Sequence, residues 1–136
     1  MPINYANYPS NWKTEIRPRI LARAGNCCER CNIKNHIWVV RGRFNGAEAY
    51  EDIEGDIYSA ADSSLIGSGI GWIECHIDKM AIRVVLTIAH LNHDITDNRD
   101  ENLAALCQRC HNRHDAKYRA SNRLKKPGQM ELFKSQ

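Results

Sequence analysis

MAIRVVLTIAHLNHDITDNRDENLAALCQRCHNRHDAKYRASNRL, residues 80–124, is the stretch that decides the fold. Its first part, 80–89, is crowded with β-branched side chains, which suit a pleated surface, and predicts one strand. Residues 90–101 are polar and read as a loop, and 103–106 read as a short strand entering the turn CQRC at 107–110. A helix is expected over 109–124, with Ala116, Ala120 and Leu124 on its apolar side at a spacing of four.

CQRC has a counterpart upstream, CERC at 28–31. Two intervening residues let both sulfurs of such a turn face one metal. Two turns supply the four thiolates of a closed tetrahedral site, so Cys28, Cys31, Cys107 and Cys110 are expected to bind one structural zinc. Buried free thiols and a redox pair are the competing readings, and no βαβ pattern surrounds either turn to support the redox one. The long separation requires the fold to return the chain, so that zinc pins the N-terminal helix to the C-terminal unit. Cys27 permits a second register and Cys75 adjoins His76, but both are read as ordinary core thiols.

Further out, 10–25 is expected to be helical in its second half. Pro18 suits a first turn, Ile20, Leu21 and Ala24 give an apolar stripe, and Gly25 can end it, with Trp12 and Ile16 packed beneath. Residues 37–44, IWVVRGRF, predict a strand. The acidic segment 45–78 reads as a β-rich insertion, Gly/Ser-punctuated and weakly patterned with mobile loops up to 71. A strand over 71–77 then turns at Asp78-Lys79 into 80–89. The tail 125–136, opening on Lys125-Lys126-Pro127-Gly128, is expected to fray.

The length of 136 residues suits one domain spanning 1–136. Its start, MPINYANYPS, has neither a basic opening nor an apolar run, and no stretch approaches the ~18 apolar residues of a membrane span. A soluble, cytoplasmic protein with no membrane partner is the expectation, and that reducing setting favours metal ligation over disulfides. The net charge of +3 is unevenly spread: 1–46 and 109–136 each carry eight Lys/Arg against two acids, whereas 47–78 carry eight acids and no Lys or Arg. Basic ends around an acidic middle suit a polyanion on one face, but plain solvated surface fits equally well.

Five groups remain: His90, His93, Asn102, His111 and His114, bracketing the second cysteine turn. On a helix His111, His114 and Tyr118 share one face, so two imidazoles can meet one ion or phosphate. His36 and His76 are read as surface or core residues. TIAHLNHD at 87–94 followed by ENLAALCQRCHNRHD at 101–115 resembles the HNH endonuclease family in its zinc-bound, four-cysteine variety. YPSNWK at 8–13 through CCERC at 27–31 looks like the N-terminal part of small phage-type members. The resemblance covers 8–36 and 80–124 and leaves the acidic insertion outside.

What it implies is an α+β fold with a ββα-metal (His-Me finger) core. In that family the residue matching His90 is the general base that activates water. The one matching Asn102 orients that base, and the one matching His111 binds a catalytic divalent cation, Mg²⁺, Mn²⁺, Ni²⁺ or Zn²⁺. The chemistry is coherent, since phosphodiester hydrolysis needs an activated nucleophile and compensation for developing charge. One departure matters: Ala89 stands where many members carry an acidic or histidine ligand. His111 then needs help from His114, His93, Asp94 or Asp115, and helical spacing favours His114.

The expected activity is that of a metal-dependent DNA endonuclease. Arg109, Arg113, Lys117, Arg119 and Arg123 would contact duplex phosphates with strong salt dependence and low sequence specificity. Ala89 sustains an alternative, a zinc-stabilised DNA-binding module without catalysis. A zinc-stapled interaction domain, its acidic insertion binding a basic partner, is a third reading.

Overall fold

Pro18 and Gly25 bracket the first helix as the sequence predicts. The computed structural model describes residues 5–69 and 80–125. A π-helical turn, Trp12–Ile16, leads into helix α1, Arg17–Arg23, with Pro18 in its first turn. Gly25 adopts φ +66°, and the Asn26 amide returns to the Leu21 carbonyl at 2.9 Å, which closes the helix. Trp12, Ile16 and Ile20 recur every four residues and are buried together, giving this segment its inward stripe.

The middle of the chain is a regular antiparallel sheet. Strands β1 (Trp38–Phe44), β2 (Ala47–Asp52), β3 (Asp56–Ser59) and β4 (Leu65–Ser68) form a meander, and β5 (Ile82–Arg83) joins the free edge of β1. Asn45 and Gly46, both at positive φ, make the two-residue turn between β1 and β2. The register runs from Val39 opposite Asp52 to Phe44 opposite Ala47. The acidic insertion is β-rich as expected, and its pattern is more regular than the sequence suggests, with three consecutive strands. Acidic side chains had obscured the pattern, yet Ala49, Tyr50 and Ile57 are buried from within it. The strand expected at 71–77, its turn at Asp78-Lys79, Cys75, His76 and the tail beyond 125 lie outside the described residues.

The stretch 80–89 is not one strand. Its Ile82–Arg83 portion pairs with β1, whereas β6 (Thr87–His90) pairs with β7 (Leu103–Leu106) in a separate two-stranded sheet. Between them Val84 and Leu86 are fully buried. The Val84 amide donates to Ile37 O at 2.8 Å, the His36 amide donates to Val84 O at 2.7 Å, and the Leu86 amide donates to Asn35 Oδ1 at 3.0 Å. A side-chain acceptor thus replaces the strand ladder and lets the chain change sheets.

Helix α2, Gln108–Lys125, begins one residue before its expected start. Its expected apolar stripe is not buried, because Ala116 and Ala120 are exposed and Leu124 lies beyond the described side chains. The architecture is mixed α+β and dominated by strands. Its main core combines Trp12, Ile20, Ile33, Val39, Leu86 and Leu106 with four cysteines. Among the described residues no helix is long and apolar enough to cross a membrane.

Asn35 is buried at the sheet change and also donates to Asn26 Oδ1 at 3.0 Å. Asn35→Ala leaves the Leu86 amide without its acceptor, and a loss of about 1–3 kcal/mol is expected in chemical denaturation. An unchanged midpoint would remove Asn35 from this role.

Candidate metal centre and histidine site

The first cysteine turn is held by its own backbone. The Asn32 amide donates to Cys28 O and the Cys28 amide to Ile33 O, both at 2.9 Å, and Asn32 takes the left-handed φ of +66° that reverses the chain. The second turn is the start of α2: the His111 amide donates to Cys107 O at 2.8 Å, so Cys107 and Cys110 project from one side of a helical turn. Glu29 joins the two. Its amide donates to Ala105 O at 2.8 Å, and its Oε1 accepts from the Ala105 amide at 2.9 Å, which sets CERC against the strand that delivers CQRC. Arg23 clamps the arrangement by donating to Glu29 Oε1 at 2.7 Å and to Leu103 O.

All four sulfurs are buried and lie within 4.8 Å of one another. Cys31 and Cys107 Sγ are 3.7 Å apart, too far for a disulfide. Four sulfurs at ~2.3 Å from a tetrahedral ion stand ~3.8 Å apart, so the spacing fits a metal such as zinc. The Arg41 guanidinium donates to Cys107 Sγ at 3.8 Å and offsets part of the thiolate charge. Among themselves the thiols pull in opposite directions. Cys107 is pushed down to about 6, chiefly by the Cys110 thiol, while Cys31 is driven up, chiefly by Cys107. Four thiolates cannot coexist bare in this pocket, and a bound cation removes the conflict. Cys27, read as a core thiol, is instead partly exposed and pairs in an isolated bridge with Lys34.

His90 ends β6 and is buried at 7% exposure. Its ring stacks on Trp12 with centroids 5.3 Å apart and meets the edge of Tyr8 at 5.8 Å. Nε2 lies 2.8 Å from Asn98 Oδ1. Asn98 Nδ2 donates to Ile95 O at 3.2 Å, which turns Oδ1 toward the imidazole. Nε2 is therefore the donor, and in that tautomer the lone pair lies on Nδ1. Asn102, also buried, binds the intervening loop at three points: Nδ2 donates to Asp97 O and Asn92 Oδ1, and Oδ1 accepts from the Asn92 amide.

His111 hydrogen-bonds the Thr87 hydroxyl through Nδ1 and directs Nε2 to Asp115, 3.5 Å from Oδ2. Asp115 Oδ1 faces His93 Nδ1 at 3.8 Å, so one carboxylate stands between two imidazoles. Burial holds both His111 and His93 below the ordinary imidazole value. His93 takes φ +62°, a left-handed conformation that tucks its ring between His114 at 4.4 Å and Tyr118 at 3.9 Å. His114 Nδ1 faces Arg30 at 3.4 Å, and its buried Nε2 has no hydrogen-bond partner among the described residues. Asp115 thus stands beside His111 Nε2, and His114, which spacing favours, also lies close enough to act on His111. His90 is engaged by Trp12, Tyr8 and Asn98, and it makes no direct contact with His111 or His114 among the described residues.

The basic helix divides in two. Arg109 and Arg113 both grip Glu48 at 2.8 Å, whereas Lys117, Arg119 and Arg123 are exposed. Sequence reasoning missed Trp12, Thr87, Asn98, Arg41 and Glu48 as partners of the two sites. Each comes from a distant segment or a loop, and no spacing rule connects it to its target. No family model matches the chain, and no curated protein and no solved structure matches it either.

One zinc per chain is expected by elemental analysis of metal-replete protein. Cys110→Ser should lose it and melt without a cooperative transition, because structural zinc sites bind with on the order of 10 kcal/mol. Full metal content in that variant would exclude Cys110 as a ligand.

Proposed function

We propose that the protein is an HNH-type, metal-dependent DNA endonuclease whose ββα-metal core is the β6–β7 hairpin together with α2. The observation that carries the reading is connectivity. His90 ends the first strand, Asn102 ties down the intervening loop, and His111 lies in the first turn of the helix that follows the second strand. In this mechanism His90 Nδ1 takes a proton from water as the oxygen attacks phosphorus and the bond to the departing oxygen breaks. Trp12 and Asn98 fix the plane and tautomer of that imidazole, and Asn102 acts as a positioning residue. His111 and Asp115, with His93 opposite, would hold a divalent ion, since donor separations of 3.5 and 3.8 Å suit neighbouring ligands. Such an ion supplies positive charge for the developing phosphorane and leaving oxygen. Lys117, Arg119 and Arg123 are exposed cations on α2 that suit contact with duplex phosphates.

A second reading, a zinc-stabilised DNA-binding module without catalysis, has its own support. Ala89 is buried opposite Ala104 and offers no ligand, and among the described residues the histidines do not bring three donor atoms within 4.8 Å.

Supercoiled plasmid incubated with Mg²⁺, Mn²⁺, Ni²⁺ or Zn²⁺ separates the two. Nicking is expected, and His90→Ala should slow it roughly 10²-fold or more. Equal rates from the variant would remove His90 as the base. Retarded but intact DNA under every metal would establish the binding module instead.

A further inference from the structure

A groove of about 650 Å³ lies over the cysteine cluster, between the first cysteine turn and α2. Arg30, Arg109, Arg113 and Lys117 line it, with Cys31 and Cys110 at its floor. Two of these four cations, Arg109 and Arg113, pair with the carboxylate of Glu48 from the start of the second strand. Even the double negative charge of a zinc-bound four-thiolate cluster below leaves the groove positive.

Glu48 shows how this groove takes an anion. Arg109 donates to its Oε2 at 2.9 Å through Nε, and Arg113 donates to its Oε1 at 2.8 Å. Two guanidinium groups thus hold the two oxygens of one anion, the arrangement that also suits the two non-bridging oxygens of a phosphodiester. Arg109 donates as well to Ala60 O at 3.3 Å, so it keeps its place when the carboxylate leaves. The Glu48 side chain is 44% exposed and Arg113 57%, against 18% for Arg109, so the Arg113 pair is open enough to water to exchange for another anion. Arg30 reaches from the groove to His114, which links it to the histidine site.

We propose that this groove binds the phosphodiester backbone of DNA and that Glu48 is its built-in competitor, occupying the two arginines until a phosphate displaces it. The proposal rests on the DNA reading above and adds to it a second contact surface and a brake. Glu48→Gln removes the competing charge while keeping the side-chain shape. A fluorescent mixed-sequence duplex, titrated across ~50–200 mM salt, reads both affinity and its salt dependence. Glu48→Gln should bind roughly fivefold or more tightly than wild type, with a slope of log K against log salt steeper by about one to two, because two arginines become available to phosphates.

Arg30→Gln changes an exposed groove position that lies outside the α2 contacts and gives an independent check, with affinity falling several-fold and the slope flattening by about one. If Glu48→Gln melts early, the Arg30 variant decides the matter alone. DNA binding by wild type with both variants unchanged overturns the groove but leaves the DNA reading intact. No binding by wild type or either variant overturns both.

Discussion

Two cysteine turns lying 76 residues apart converge because Glu29 and Ala105 exchange two hydrogen bonds, one through the backbone and one through the carboxylate. Closing a chain segment of that length costs about 4–5 kcal/mol of conformational entropy in a loop-closure account. That cost falls on the contacts that bring the ends together: Glu29 on Ala105, Arg23 on Leu103 O, and the buried stripe of Trp12, Ile16 and Ile20 behind them. With these in place the four thiols meet in a buried pocket, and a metal there locks a geometry the chain has already prepared.

The histidine site inherits its position from the same contacts. Cys110 is followed at once by His111, so the cysteine cluster sets where α2 begins and which way its first turn faces. Thr87 on β6 then fixes the His111 ring, while Trp12 from the N-terminal segment fixes His90. Three parts of the chain meet at this end of the hairpin, and each is anchored at or near the cysteines.

Much of this was legible in the residues. The CxxC pairs, the strand over 103–106 and the helix closed by Gly25 depend on local chemistry and appear where expected. The misread parts depend on partners remote in sequence. Residues 80–89 look like one strand because β-branched residues favour any sheet, and nothing within them reveals that Asn35 takes the Leu86 amide. Ala116 and Ala120 have helical spacing but meet no second surface among the described residues. Spacing places His114 near His111, where it lies, but does not reveal that the loop carrying His93 closes over Asp115.

The uncovered outer part of α2 has a kinetic meaning. The helix is clamped at its first turns by the cysteine cluster and by Glu48, but past Tyr118 it holds its shape on intrinsic propensity with little burial. One continuous helix therefore spans two regimes of opening. Amides near Cys110 exchange with solvent only through large-scale unfolding, while those nearer Arg123 exchange through fast local fraying. Arg119 and Arg123 are carried on this lightly buried outer segment.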